Sequence, residues 1–135
     1  MSYPAMKEAG VDVRLGTDGS ASNNSLDLRA EAKAASLVQR HDHWDARILG
    51  PEQTWDLATK GSQDWITWDL SDIRMRPFGR DGRRLLSNLI YSGAKVLDVF
   101  VGGEAVRRDG RTLTLEEDMV AQELEESVTE YYQDV

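Results

Sequence analysis

The stretch of sequence that decides the fold is residues 11–28, VDVRLGTDGSASNNSLDL. In its first five residues apolar and charged side chains alternate, which predicts a short strand that ends at Gly16. Residues 17–24 are rich in Gly, Ser and Asn and predict a polar loop. The loop therefore lies at the carboxyl end of the strand.

A helix is predicted directly after this loop. Ser25 is a favourable N-cap residue, and the helix is expected to begin at Leu26. Apolar residues then recur at helical spacing and predict one buried face: Leu26, Ala30, Ala34, Leu37 and Val38. Strand, loop and helix in this order form a βα unit, which indicates the α/β class.

The rest of the chain is predicted to add helices and a smaller β-rich part. In chain order the pattern predicts a helix from Gly50-Pro51 to near Gly61, a strand over 64–70, a short helix over 85–91, a hairpin over 95–108 with Gly102-Gly103 as its turn, a second turn at Asp109-Gly110, and a last helix opened by a capping box over 114–117.

The composition restricts the classes of partner. The 135 residues carry a formal net charge of −8, so the basic face that nucleic acid or an anionic membrane needs is not expected. No apolar run reaches the roughly 20 residues that span a bilayer, and no signal peptide is visible, so a cytoplasmic location is expected. Cysteine is absent, which excludes disulfides and thiolate metal sites. The acidic, lysine-poor composition fits either a halophilic, high-salt cytoplasm or ordinary compositional drift.

Asp18 is the candidate for chemistry in this stretch. It follows the predicted strand, and Gly16 and Gly19 beside it are expected to let the backbone turn sharply and to admit a ligand. In parallel α/β barrels, catalytic side chains stand where strands end and loops begin. A carboxylate there can bind a metal ion or act as a general base. Spacing alone leaves a simple turn as the alternative.

The run from Leu15 to Leu28, followed by an alanine-rich helix that contains Glu31, resembles the amidohydrolase superfamily. The most similar branch holds chlorohydrolases, triazine hydrolases and methylthioadenosine/S-adenosylhomocysteine deaminases. Later segments resemble the same family: residues 55–61, 64–70, 87–92 and 96–111. The resemblance extends over nearly the whole chain, but over only the last third of the family.

This resemblance implies a fold and a division into domains. Residues 1–63 would be the last βα unit of a metal-dependent hydrolase TIM barrel, which is an α/β fold. Residues 64–113 would form a partial β-sandwich, and residues 114–135 a C-terminal amphipathic helix.

The resemblance also implies a site. Asp18 would be both a metal ligand and the catalytic group that takes a proton from the attacking water, and the metal would be a divalent ion, zinc or iron. Side chains of the following loop would stand beside a small heterocyclic substrate of purine or triazine type: Ser20, Ser22, Asn23 and Asn24. The reaction would be hydrolysis of a non-peptide C–N or C–Cl bond.

The chain departs from the family pattern in two ways. A TIM barrel takes roughly 250 residues, yet one barrel strand is visible, without the histidines that complete the family's metal site. Lys60 also stands close to Asp64, where the family has a longer segment. We therefore expect a C-terminal fragment with an internal deletion that is inactive alone. The alternative is a non-catalytic remnant that forms a homo-oligomer or docks on a complete paralogue.

Three further groups of side chains allow a functional and a structural interpretation. His41 and His43 imitate a metal-binding pair, but we expect exposed histidines in a connector over 41–50. The arginines between residues 74 and 84 could grip a phosphate, although a solvated turn is the expected structure. The tryptophans could form a stacking platform but are expected to pack between helix and strand: Trp44, Trp55, Trp65 and Trp68.

Overall fold

The computed structural model describes residues 2–133 and divides the chain into two compact units. One unit runs to Ser62 and resumes over Leu70–Ala94. The other comprises Gln63–Asp69 and the chain from Lys95 onward. Helices and one antiparallel sheet make up the structure, which confirms a mixed α and β composition. Within residues 2–133, no helix has the length and apolar character that crossing a membrane requires.

The first unit is helical. Its elements are α1 (Tyr3–Glu8), α2 (Leu28–His43), α3 (Pro51–Thr59), a short 3-10 helix (Ile73–Met75) and α4 (Gly82–Ser92). Helix α3 begins with Pro51 in its first turn, as predicted, because a proline there has no N–H to leave unpaired. Helices α2, α3 and α4 pack against one another around the buried apolar side chains: Ala32, Leu49, Met75, Leu89 and Ile90.

A buried polar cluster centred on the carbonyl oxygen of Leu49 joins these helices. Ser36 Oγ and Thr54 Oγ1 donate to it at 3.0 and 2.8 Å, and Arg40 Nη2 donates at 2.9 Å. Arg40 also donates to the carbonyl of Ile48 and to the hydroxyl of Tyr91. These polar groups are paired with one another, so their burial leaves no hydrogen-bonding group among them unsatisfied. Their hydrogen bonds also hold the turn between α2 and α3 in place.

The start of α2 differs from the prediction. Helix α2 begins at Leu28, and its N-cap is Asp27 rather than Ser25. The Asp27 carboxylate accepts hydrogen bonds from the backbone N–H groups of Arg29 and Ala30 at 2.9 and 3.2 Å. Ser25 Oγ instead accepts a hydrogen bond from the backbone N–H of Asp27 at 3.1 Å. This bond lies just before the first residue of the helix.

The predicted buried face of α2 is also wrong. Leu26, Leu37 and Val38 are 65%, 48% and 60% exposed, whereas the fully buried positions are Ala32 and Ser36. Small side chains let α3 and α4 approach α2 closely, so the helix contacts its neighbours through these residues. The larger apolar residues consequently face solvent.

Residues 11–15 are not a strand in the described structure, which corrects the first prediction of the sequence. The N–H of Leu15 donates to the carbonyl of Leu57 at 2.9 Å, and Arg14 contacts both Asp12 and the carbonyl of Lys60. The segment is thus held against the end of α3. A strand needs a neighbouring strand to pair with, and no strand pairs with this segment within residues 2–133.

The second unit contains a four-stranded antiparallel sheet in chain order. Its strands are β1 (Trp65–Trp68), β2 (Val96–Val101), β3 (Glu104–Arg108) and β4 (Arg111–Thr112). Both predicted turns are confirmed: φ is +59° and +88° at Gly102 and Gly103, and +51° and +79° at Asp109 and Gly110. Positive φ at both central residues matches the twist of a two-residue hairpin.

The last helix, α5 (Glu117–Gln133), begins later than the predicted capping box. The Glu117 carboxylate does not bind back to the backbone N–H of Thr114, as the predicted capping box requires. It accepts hydrogen bonds from Arg107 Nη1 at 2.8 Å and from Thr112, both in the sheet. The apolar side chains of α5, including Leu124 at 64%, are exposed.

Candidate functional site

The loop over residues 17–24 turns at Asp18 itself. Asp18 adopts a left-handed backbone conformation with φ of +58°, which Asp tolerates better than most residues. The Asp18 Oδ1 atom accepts a hydrogen bond from the N–H of Gly19 at 2.7 Å. Gly16 and Gly19 do not have positive φ, so the left-handed residue of this loop is Asp18 rather than either glycine. Both glycines do border open space, because an added Cβ would meet nothing within 4 Å.

Asn23 holds this loop in shape. Its Nδ2 donates to the carbonyl of Thr17 at 3.1 Å and to Glu31 Oε1 at 2.8 Å, and its backbone N–H donates to the carbonyl of Gly19 at 2.9 Å. Glu31 lies in the first turn of α2, so the loop is tied to the helix that follows it. This role of Glu31 was not predicted, although an acidic residue in the first helical turn after a polar loop is a signal that could have indicated it.

The other predicted loop residues divide into two kinds. Ser22 Oγ donates to the carbonyl of Gly19 at 3.0 Å and so contributes to the turn. Ser20 and Asn24 are exposed, as is Asp18. The loop therefore presents the carboxylate of Asp18 to solvent beside two polar side chains, while Asn23 and Ser22 maintain its conformation.

A charged group stands at the base of this loop. Arg14 hydrogen-bonds to Asp12 at 2.9 Å, and this contact, with Lys60 nearby, lowers the pKa of the Asp12 carboxyl. These contacts keep Asp12 ionised and paired, and so fix the extended segment that leads to Asp18. Both carboxylates are exposed, but that of Asp12 is paired with Arg14, whereas that of Asp18 accepts a hydrogen bond from the N–H of Gly19.

The described residues do not build a metal centre. Within residues 2–133, no group of three or more His, Asp or Glu side chains is arranged to hold a metal ion. His41 and His43 lie in the last turn of α2, not in a connector loop as predicted. His43 Nε2 is 3.0 Å from Ser2 Oγ.

The aromatic residues only partly follow the packing prediction. Trp44, at the left-handed end of α2, is 88% exposed, and its ring lies beside that of His41 in the same helix with centroids 5.6 Å apart, which corrects the expectation for this residue. Trp65 stacks on Phe100 across the sheet, with ring centroids 3.7 Å apart, so its contact is strand to strand. Cross-strand aromatic pairs of this kind stabilise a sheet.

The predicted arginine-rich turn is partly paired. Arg74 forms an ion pair with Asp72 at 2.6 Å, and the guanidinium of Arg76 lies over the ring of Phe78 at 5.0 Å. Arg83 and Arg84 extend from the start of α4 into a surface cleft.

Comparisons with known proteins identify relatives. No protein-family model matches the chain. It is 36% identical to a 5-methylthioadenosine/S-adenosylhomocysteine deaminase of Bacillus thuringiensis and 35% identical to one of Bacillus cytotoxicus, over 86% of this chain in each case. Among solved structures, an adenosine deaminase from Xanthomonas campestris with bound zinc matches with a TM-score of 0.79 and 25% identity, over 90% of this chain.

The match extends over a limited part of each relative. The chain spans 30% of the length of the Bacillus proteins and 31% of the Xanthomonas chain. The alignment to the B. thuringiensis protein is 135 positions long, but it includes only 86% of the 135 residues of this chain. The remaining alignment positions are therefore residues of the relative that have no counterpart in this chain. By sequence and by fold, the chain belongs to the amidohydrolase superfamily and corresponds to a carboxyl-terminal part of its deaminase-like members, as predicted.

Proposed function

We propose that this chain is the carboxyl-terminal part of a metal-dependent hydrolase that acts on non-peptide C–N or C–Cl bonds of purine- or triazine-like heterocycles, and that this part alone is inactive. The observation that supports the proposal is the 36% identity to a methylthioadenosine/S-adenosylhomocysteine deaminase over most of the chain. The chain's 30% share of that relative's length supports the expected inactivity.

Asp18 is, in this proposal, the residue that the chain contributes to catalysis. Its carboxylate is exposed at the end of the extended segment, and Gly19 uses only one of its two oxygens. Ser20 and Asn24 are the loop residues best placed to contact a substrate, because their side chains are exposed. Ser22 and Asn23 would act through the shape of the loop, since their side chains bind its backbone.

The metal itself does not fit the residues described. A catalytic zinc takes about three protein ligands, and residues 2–133 offer no cluster of that size. Zinc or iron would therefore need ligands from another part of a complete fold. For this chain alone we propose no step that requires the ion.

We also propose that residues 11–15 and α2 form the last βα unit of a barrel when the rest of the fold is present, within a domain over 1–63. The segment is extended, its apolar and charged residues alternate, and its backbone is free of strand pairing in the described structure. The exposed Leu37 and Val38 on α2 are surfaces that added barrel elements would cover. Residues 64–113 and 114–135 would form the small β-rich domain and its terminal helix.

The test is deamination assayed by ammonia release. The purified chain, with zinc or iron added, is expected to release no ammonia from methylthioadenosine or adenosine. Addition of a separately expressed polypeptide that carries the preceding part of the B. thuringiensis relative is expected to produce activity. Asp18→Asn should abolish it, and Asp56→Asn, an exposed carboxylate on α3, should not.

Each outcome has a defined meaning. Metal-dependent turnover by the chain alone would refute the proposed inactivity. Activity that survives Asp18→Asn would remove Asp18 from the site. A mixture that stays inactive although the two polypeptides bind each other would contradict the proposal that this part supports catalysis.

A second candidate is a non-catalytic remnant that dimerises or docks on a complete paralogue. The exposed apolar side chains of α2 favour it, because large apolar side chains clustered at a surface promote association. Size-exclusion chromatography with light scattering is expected to show a dimer that Leu37→Glu dissociates. A monomer with a single sharp unfolding transition would exclude the dimer.

A further inference from the structure

A surface cleft in the first unit is lined by four arginines. It has a volume of about 520 Å³, within the range of about 300–1,000 Å³ typical of small-molecule sites. The four guanidinium groups come from the end of α2, the turn after it and the start of α4: Arg40, Arg47, Arg83 and Arg84. In a chain of net charge −8, this is a local concentration of positive charge.

Two of these arginines are paired with a carboxylate and two have no carboxylate partner within the described residues. Arg47 pairs with Asp45 at 2.8 Å, and Arg83 Nε lies 3.1 Å from the carboxylate of Glu52. Within residues 2–133, no carboxylate lies within ion-pair distance of Arg40 or Arg84. Arg40 donates to carbonyl and hydroxyl oxygens, which carry no net charge, so no carboxylate offsets the positive charge of its guanidinium group.

The acidic side chain that lines the cleft is already engaged. Asp81 is the N-cap of α4, and its Oδ1 accepts from the backbone N–H groups of Arg83 and Arg84 at 3.0 and 3.4 Å. Across the cleft, the N-cap residue of α3 is Gly50, which has no side chain to cap the helix. The first turn of α3 also carries Glu52, whose carboxylate pairs with Arg83, so the positive field at the cleft comes from the arginines rather than from this helix end.

We propose that this cleft binds a phosphate group. Guanidinium groups bind phosphate oxygens through paired, charge-assisted hydrogen bonds. The hydroxyl group of Ser87, which also lines the cleft, is a further polar partner for phosphate oxygens. The site belongs to the first unit alone and involves neither Asp18 nor its loop. It is therefore independent of the proposed hydrolase function.

Titration calorimetry at low ionic strength with three ligands tests this site. Inorganic phosphate and AMP are expected to bind saturably and to weaken as NaCl is added, whereas adenosine, which lacks the phosphate, is not expected to bind. Tighter binding of AMP than of phosphate would assign the group to a nucleotide, and equal binding would assign it to the free anion. Adenosine binding as tight as that of AMP would overturn the proposal.

Variants with matched charge locate the site. Arg84→Gln removes a guanidinium that has no ion-pair partner and is expected to weaken phosphate binding about tenfold or more, the effect of losing a charge-assisted hydrogen bond. Arg111→Gln removes the same charge from β4, outside the cleft, and should change the affinity by less than about twofold. Equal effects of the two variants would show non-specific attraction and refute the site.

A second variant tests the same site if Arg84→Gln does not fold. The side chain of Arg47 is 91% exposed, so Arg47→Gln is expected to fold. It too should weaken phosphate binding. Chemical-shift changes of the intact protein provide a check without substitution: phosphate should perturb the amides at the starts of α3 and α4. Changes spread evenly over the described chain would contradict the proposal.

Discussion

Replacement of Asp27 by alanine is expected to destabilise the first unit by about 1–2 kcal/mol. The Asp27 carboxylate accepts two backbone N–H groups at the start of α2, and loss of such an N-cap costs about 0.5–2 kcal/mol. The ion pair with Arg29 joins side chains that are 24% and 41% exposed, so solvent limits its addition to less than about 1 kcal/mol. Urea unfolding followed by far-UV circular dichroism measures the change, provided that the m-value is unchanged.

Two control variants separate the cap from its neighbours. Asp27→Asn keeps an oxygen acceptor and loses the charge, so it should cost only a few tenths of a kcal/mol. Ser25→Ala removes the residue that the sequence pattern favoured as cap, and should cost less than about 0.5 kcal/mol because Ser25 is exposed and outside the helix. If Ser25→Ala were as costly as Asp27→Ala, the assignment of the cap would be wrong.

Three more perturbations test the packing, the charges and the candidate loop. Ile90→Ala, at a fully buried position, should lower the free energy of unfolding by about 2–5 kcal/mol in the same urea assay. The hydrogen bonds from Arg47 lower the pKa of Asp45 to about 2. Folding therefore favours the ionised carboxylate, and this stabilisation is present above the unfolded value of 3.8 and lost as the pH falls from about 4 toward 2. Asp45→Asn should flatten that part of the stability–pH curve. Glu31→Ala removes the acceptor of the Asn23 amide and should speed hydrogen exchange of the Asn23 backbone N–H, measured by NMR.

The hairpins could be predicted from sequence because their requirement is local. A two-residue turn needs positive φ at both central positions, and Gly-Gly and Asp-Gly are among the few pairs that adopt it. The same holds for the start of α3, where Pro51 fits only the first turn of a helix. In each case the residue type restricts its own backbone conformation, so contacts with residues distant in sequence are not needed to predict it.

The wrong predictions concern positions where two residues could take the same role, or where contacts between residues distant in sequence determine the structure. Ser25 and Asp27 are both good caps, and the carboxylate prevails because two N–H groups of α2 reach it. The buried face of α2 depends on which helices are available to pack against it. The pattern of α2 identifies Leu37 as apolar, but only the positions of α3 and α4 determine that Ser36 is the residue they cover.

The candidate site shows the same division. The prediction of Asp18 rests on a predicted strand-loop-helix order and on the family resemblance; the loop and the helix are confirmed, the strand is not, and the role of Asp18 stays a prediction. The Asn23–Glu31 contact could not be predicted, because it joins a loop to a helix turn eight residues away. Arg40 was missed for a stronger reason. Its contact with Tyr91 spans 51 residues, and no local pattern distinguishes a helical arginine that binds carbonyl groups from one that faces solvent.

The proposed barrel would account for both the exposed apolar residues of α2 and the lack of strand pairing over 11–15 in the described residues. An extended segment with no strand to pair with and a helix with its large apolar side chains in solvent both leave groups that further barrel elements would pair or bury. A second copy docked on α2 alone would bury Leu37 and leave residues 11–15 without a strand partner. Hydrogen exchange on any complex therefore separates the two proposed functions. Because the N–H groups of Val11 and Leu15 are already hydrogen-bonded, the informative amides are those of residues 12–14. Their protection indicates a completed barrel, and protection confined to α2 indicates a docking surface.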